Sequence, residues 1–221
     1  MNKENEDEKE NNSFLKANKY LAEGRYEKAI EFYEIFIDEN LINDKIKEIG
    51  MAYHNMGIAY DNQQKYDLAF EYFNKALDHH AKIKNDRGIS WAYFSISLIF
   101  GQMDKFHEMI DNAKKAIDFG TKVEDHEIQL KSYTSIGYAF IQLKNYSESL
   151  KNLNIALEIV SDLEDSYLLS ETYYLRGLCQ ENLNLKNKAI ESYSLAIDHG
   201  AKAGNEKIVA LAFSKISKIQ A

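Results

Sequence analysis

The sequence predicts an all-α fold, a solenoid of stacked antiparallel helix pairs, on three observations. The 221 residues contain no proline, whereas average usage of about 5% would give roughly eleven. A chain without proline can run from helix to helix with little interruption. A pattern of aromatic and small residues returns every 40 positions. Within each copy, apolar residues recur at intervals of three and four, the periodicity of an amphipathic helix.

The repeat is legible column by column. Tyr53, Met56, Gly57 and Tyr60 are followed by Tyr93, Ile96, Ser97 and Phe100, then by Tyr133, Ile136, Gly137 and Phe140, then by Tyr173, Arg176, Gly177 and Gln180. Tyr66, Phe106 and Tyr146 form another column, and Ala76, Ala116, Ala156 and Ala196 a third. An earlier copy holds Ala17, Tyr20, Tyr26, Ala29, Tyr33 and Phe36, and a half-copy ends the chain with Phe213, Ile216 and Ser217. A single register held without insertion marks a repeat architecture.

In order, the predicted helices span 13–22, 26–40, 44–62, 66–84, 87–102, 106–122, 126–142, 146–162, 166–182, 186–202 and 206–220. They group as repeats near 13–40, 44–84, 87–122, 126–162 and 166–202, closed by a capping helix at 206–220. Residues 1–12, with Glu4, Glu6, Asp7, Glu8 and Glu10, read as an acidic, disordered tail ahead of a single domain over 13–221. The small residues Gly57, Ser97, Gly137, Gly177, Ala69 and Ala189 fall where paired helices must cross closely. Turns at Asn85-Asp86, Glu124-Asp125, Glu164-Asp165 and Gly204-Asn205 supply caps for the next helix. Met109 and Ala113 exchange a large and a small position, which conserves core volume. Gln180 and Lys186 replace aromatics, so looser packing is expected in the fifth repeat. The last helix mixes Leu211, Phe213, Ile216 and Ile219 with Lys215 and Lys218. It should close the stack with one face and end the fold.

Composition excludes several function classes. The net charge is −8, which disfavours nucleic acid and anionic membranes as partners. No apolar run approaches the ~18 residues of a membrane span. One cysteine permits no internal disulfide and fits a reducing, cytoplasmic setting. Cys179 reads as a small buried hydrophobe. The histidines make no metal-binding spacing. His79, His80 and His199 are expected as solvated residues near helix ends. No phosphate loop, nucleophile elbow or dinucleotide fingerprint is present. No catalytic residue, metal or cofactor is therefore expected. Glu31, Asp67, Glu71, Glu148 and Glu191 read as a solubilising outer face.

The pattern resembles the tetratricopeptide repeat, most closely at Tyr53, Met56, Gly57, Tyr60, Ala69 and Phe73. It departs in its period, 40 against the usual 34, and in lacking the closing proline. Six extra residues, about 9 Å of helix, should lengthen both helices of each pair. The resemblance implies a right-handed superhelix of about five pairs plus the capping helix, with first helices lining a concave groove. Groove-facing columns then select Asn62, Trp91, Phe94, Leu98, Gln102, Tyr138, Gln142, Tyr174, Leu178 and Asn182 as peptide- or partner-binding residues. The apolar members would form a binding wall. The amides Asn62, Gln102, Gln142 and Asn182 would pair with a peptide backbone. Two plainer alternatives stay open: the longer helices curl enough to bury the apolar members, and helix ends simply favour polar residues. The lysine and asparagine clamp of chaperone-tail-binding tetratricopeptide domains is missing, since its columns carry His54, Phe94, Thr134 and Tyr174 and Ile58, Leu98, Tyr138 and Leu178.

The 40-residue period is also similar to the repeat domain of Gram-positive peptide-pheromone-sensing regulators. Those carry an N-terminal effector domain, for which the twelve tail residues are too short. Phosphatase and DNA-binding activities are therefore not expected, and peptide recognition is. Three readings follow: a non-catalytic module that holds an extended peptide or protein segment, a peptide-responsive regulatory sensor, or a scaffold forming a homo-oligomer through its terminal repeats.

Overall fold

The computed structural model describes residues 12–40, 46–159 and 165–221. Among the described residues there are eleven helices and no strand: α1 Ser13–Ala22, α2 Tyr26–Asn40, α3 Ile46–Asn62, α4 Tyr66–Lys82, α5 Asp86–Gln102, α6 Phe106–Lys122, α7 His126–Gln142, α8 Tyr146–Ile159, α9 Ser166–Asn182, α10 Lys186–Ala203 and α11 Glu206–Gln220. The tail at 1–11, the helix start expected at 44–45, the helix end expected at 160–162 and the turn residue Glu164 lie outside the described residues. From α3 onward a helix begins every 20 residues, and α3 to α7 are 17 residues each. The extra residues of the long repeat are thus shared by both helices of a pair.

The turns repeat as strictly as the helices. Gln64, Lys84, Asp104, Glu124, Lys144 and Asn184 all have φ between 52° and 60°, and Gly24 and Gly204 occupy the same place at 70° and 68°. Seven of them sit two residues past the last helical residue, and Gly204 one past Ala203, in the left-handed conformation that ends a helix. The following N–H donates to the carbonyl five residues back: Arg25 to Tyr20, Lys65 to Tyr60, Asn85 to His80, Asp125 to Gly120, Asn145 to Phe140, Leu185 to Gln180 and Asn205 to Gly200, at 2.8–2.9 Å. Six of these positions lack glycine, although the conformation costs a side-chain-bearing residue about 1 kcal/mol or more. The expected caps form as well. Asn85, Asp125, Asp165 and Asn205 accept from the N–H of Gly88, Ile128, Leu168 and Ile208.

The described helices fall in two compact units, α1–α5 up to Asp104 and α6–α11 from Lys105. In the first, Ala17, Ala29, Tyr33, Phe36, Ile49 and Met56 form one buried cluster and Ala69, Phe73, Ile96 and Ile99 another. Gly57 lets α3 meet α4: a Cβ there would stand 2.6 Å from the Phe73 ring. The Tyr33 hydroxyl donates to Asn18 Oδ1 at 2.6 Å and accepts from Asn55 Nδ2 at 3.0 Å. Burial pushes its pKa up to about 12.

In the second unit Gly137 faces Leu153 and Gly177 faces Tyr193 with the same 2.6 Å clearance. Met109 and Ala113 are both buried, so the exchange of large and small holds. Cys179 is buried, its thiol donates to Ser149 Oγ, and burial pushes its pKa up to about 11. The fifth repeat corrects one expectation. Gln180 is not loosely packed: it is buried, and its Oε1 accepts from Ser192 Oγ at 2.7 Å, which in turn accepts from Arg176 Nε at 2.9 Å. A hydrogen-bond chain replaces the aromatic, while Lys186 is exposed. In α11, Ile208 and Ala212 make the buried face, but Leu211 is exposed and Phe213 is 56% exposed. These two do not join the packing face, because no further helix of the described chain covers the Phe213 column.

Candidate functional site

In the first unit, α3 and α5 are neighbouring first-of-pair helices and α4 returns between them in sequence. A cavity of about 400 Å³ opens here. Its apolar wall includes Met51 and Trp91, and its polar wall includes His54, Asn55, His80 and Asn85. Lys47 and Arg87, both exposed, also line it.

His80 is the central correction to the sequence reading. It was expected in solvent at a helix end, yet it is 3% exposed. Two glycines make room for it: a Cβ on Gly88 would overlap the imidazole, and one on Gly50 would come within 2.8 Å of His80 Cε1. Asn85 uses its Oδ1 on the Gly88 N–H, and its Nδ2 lies 3.2 Å from His80 Nδ1. The amide can only donate there, so the imidazole proton sits on Nε2. Burial, with the nearby charges of His79 and Lys47, lowers the His80 pKa. His54, against the Phe73 ring at 5.2 Å and 3.5 Å from Ser95 Oγ, is lowered to about 4 by burial and by His80. Both rings are neutral near pH 7. His79 and His199 are half-buried rather than solvated, packed on Tyr53 and Tyr173 at 5.2 and 5.4 Å.

The sequence-selected residues separate by environment. In the first unit Trp91 is half-buried and meets Phe94 edge-on at 6.1 Å and 89°. Phe94 was expected on an uncovered wall, but it is only 9% exposed. It supports Trp91 rather than offering a surface. Leu98 and Gln102 are exposed. Asn62 is exposed but engaged: Nδ2 donates to Ile58 O at 2.9 Å and Oδ1 accepts from Tyr26 OH at 3.2 Å. In the second unit Tyr138 is exposed, edge-on to Phe106 at 6.4 Å, and Gln142 is exposed. Tyr174 is half-buried against Tyr193 at 5.7 Å, and Leu178 is half-buried on the cluster around Ala189. Asn182 Nδ2 donates to Leu178 O at 2.8 Å. The two asparagines therefore bond back onto their own helices.

Sequence reasoning missed Lys47, Asn55, His80, Asn85 and Arg87 as cavity residues. One signal was present. His80 stands in a column with Gly120 and Gly200, and Gly88 in a column with Ile128, Leu168 and Ile208. The large and small members are reversed in this one repeat. Among the described residues no group of three or more His, Cys, Asp or Glu is arranged to hold a metal ion, and no helix is long and apolar enough to cross a membrane.

With this geometry in hand, comparison with known proteins defines the class. The chain carries tetratricopeptide repeats: family models of that description match residues 48–122 and 170–198. No curated protein sequence matches the chain. Solved structures share its fold. The apo form of RapI is 15% identical over 93% of this chain and 82% of its own, with a TM-score of 0.79. BtubC (BKLC) from P. vanneervenii is 18% identical over 86% of this chain and 78% of its own, TM-score 0.74. The Rap conjugation gene regulator of plasmid pLS20, in complex with the Phr* peptide, is 17% identical over 90% of this chain and 55% of its own, TM-score 0.73. The structure thus shares its fold with Rap proteins, as the resemblance to peptide-pheromone-sensing regulators implied.

Proposed function

We propose that the protein is a non-catalytic, cytoplasmic interaction module that holds a peptide or an extended protein segment on its first-of-pair helices. The observation that carries this is the cavity beside Trp91 in the first unit, of a size that accepts ligand side chains. Within the second unit, considered by itself, Tyr138 and Gln142 present an exposed aromatic and an exposed amide on α7. The peptide seen with the pLS20 regulator makes a linear peptide the favoured ligand class here.

The test begins with selection from a random peptide library on the full chain, followed by calorimetry on the recovered peptides. Trp91→Ala combined with Gln102→Ala, both on α5, removes one large apolar contact and one backbone hydrogen bond. Binding should weaken by about 2–4 kcal/mol, with circular dichroism unchanged. Glu71→Lys with Glu148→Lys alters only exposed outer residues and should leave binding intact. The reverse pattern would place the binding surface on the outer face. The exposed Phe213 and Leu211 of α11 favour one second reading, self-association. Sedimentation of wild type against Phe213→Ser checks it.

A further inference from the structure

Three of the helix pairs close their crossing in one way. A small residue on the first helix receives a large one from the second, which a short turn sends back antiparallel: Gly57 meets Phe73, Gly137 meets Leu153 and Gly177 meets Tyr193. In the second unit α11 opens the same kind of crossing. Ser217 stands in the column of Gly177, and Phe213 in that of Tyr173. Ile208 and Ala212 bury the other side of α11, and Lys215 is turned to Glu181 at 3.0 Å. Among the described residues no second helix follows. Ala210, Phe213, Ser217 and Gln220 are accordingly all exposed, Phe213 by 56%.

Three properties of this strip point to its occupant. The first is the order of sizes: Ala210 is small, Phe213 large, Ser217 small and Gln220 long. Laid antiparallel on a copy of itself, Phe213 falls opposite Ser217, Ser217 opposite Phe213, and Ala210 and Gln220 opposite each other. A two-fold axis supplies that antiparallel helix from a second copy, with no other element needed. The second property is charge. The chain has 35 acidic and 27 basic residues, so two copies repel, yet these four residues carry no charge. An interface core is depleted of charge in the same way. The third is extent. The overlap from Ala210 to Gln220 is about 16 Å of helix. Two such strips bury less than the about 1,200 Å² at which stable complexes begin, so the contact is weak.

We propose that α11 is the contact of a weak two-fold dimer of this chain. Phe213 of each copy fills the space over Ser217 of the other, as Tyr193 fills the space over Gly177 within the chain. The axis closes the crossing twice, once for each ring. This rests on the self-association reading, and it names the surface, the symmetry and the register.

The experiment is sedimentation velocity on the full chain from about 10 µM to 1 mM, the range of a weak dimer. Wild type should shift from monomer towards dimer across it. Phe213→Ser leaves serine opposite serine, and Ser217→Phe sets ring against ring and holds the helices apart. Each alone should weaken the dimer at least about tenfold. Both positions are exposed, so circular dichroism should not change. An equimolar mixture of the two single variants should regain the wild-type dimer, since each contact then pairs one ring with one serine. The double variant Phe213→Ser with Ser217→Phe should regain it for the same reason. A mixture that stays monomeric while wild type dimerises overturns the proposal. A dimer that neither single change weakens overturns it too, but preserves self-association through another surface. Wild type that is monomeric at about 1 mM overturns both.

Discussion

The turn after α4 and the turn after α6 share a backbone and fill it from opposite sides. Each places a residue in the left-handed conformation, Lys84 or Glu124. Each returns a hydrogen bond five residues, and each caps the next helix with Asn85 or Asp125. After α6, Gly120 makes room and Ile128 fills it. After α4, His80 fills the space and Gly88 makes room. The repeat backbone thus accepts either order, because what the two helices must satisfy is their combined volume. The orders differ in chemistry. The isoleucine seals its junction with hydrocarbon. The histidine brings a hydrogen-bonding ring to a cavity wall, and burial keeps that ring uncharged.

The largest expected effect comes from imposing the α6–α7 solution on one side only. Gly88→Ile leaves His80 in place and should cost about 3 kcal/mol or more through overpacking, read from urea unfolding followed by Trp91 fluorescence. Adding His80→Gly should restore most of the loss. If the double variant is as unstable as the two single losses summed, the positions are not exchanged and the comparison fails.

Acid separates the two units next. The folded pKa of His54 is lowered to about 4, and that of His80 is also lowered. The unfolded chain therefore binds protons that the folded chain refuses between about pH 6.5 and 4. Stability in that window is full at its upper edge and is lost as the pH falls. Lys47, His79 and His80 all oppose added positive charge in this region. Discounted for the partial exposure of the His54 ring, the loss should be on the order of 2–3 kcal/mol by pH 4. His54→Gln should flatten the profile. Identical profiles for wild type and variant would show that acid acts elsewhere. In the second unit His107 and His126 are exposed and His199 is half-buried on Tyr173, so no imidazole there is buried as His80 is.

The smallest effect tests what the junctions share. Lys84→Gly and Glu124→Gly each relieve a left-handed side-chain-bearing residue and should raise stability by about 0.5–1 kcal/mol, equally at the two turns. Unequal shifts in the thermal midpoint would mean that the turns are not equivalent.

Much of the fold is legible in the sequence, for a local reason. Helix lengths, the 40-residue period, the caps at Asn85, Asp125, Asp165 and Asn205 and the close crossings at Gly57, Gly137 and Gly177 all follow from spacings within one or two helices. Periodicity states which side of a helix is apolar and which residue can end it. It does not state which of two residues, brought together from different helices, fills a shared space, or whether a neighbouring helix is there to cover an apolar side. Those matters fell to the tertiary structure. It buried His80 between Gly50 and Gly88, covered Phe94, left Phe213 open, turned Asn62 and Asn182 back onto their own helices, and set Lys47, Arg87, His80 and Trp91 around one cavity. The physical reason is that hydrogen-bonded helix geometry is fixed by residues a few positions apart, whereas volume and charge are balanced between residues that meet only when the helices pack.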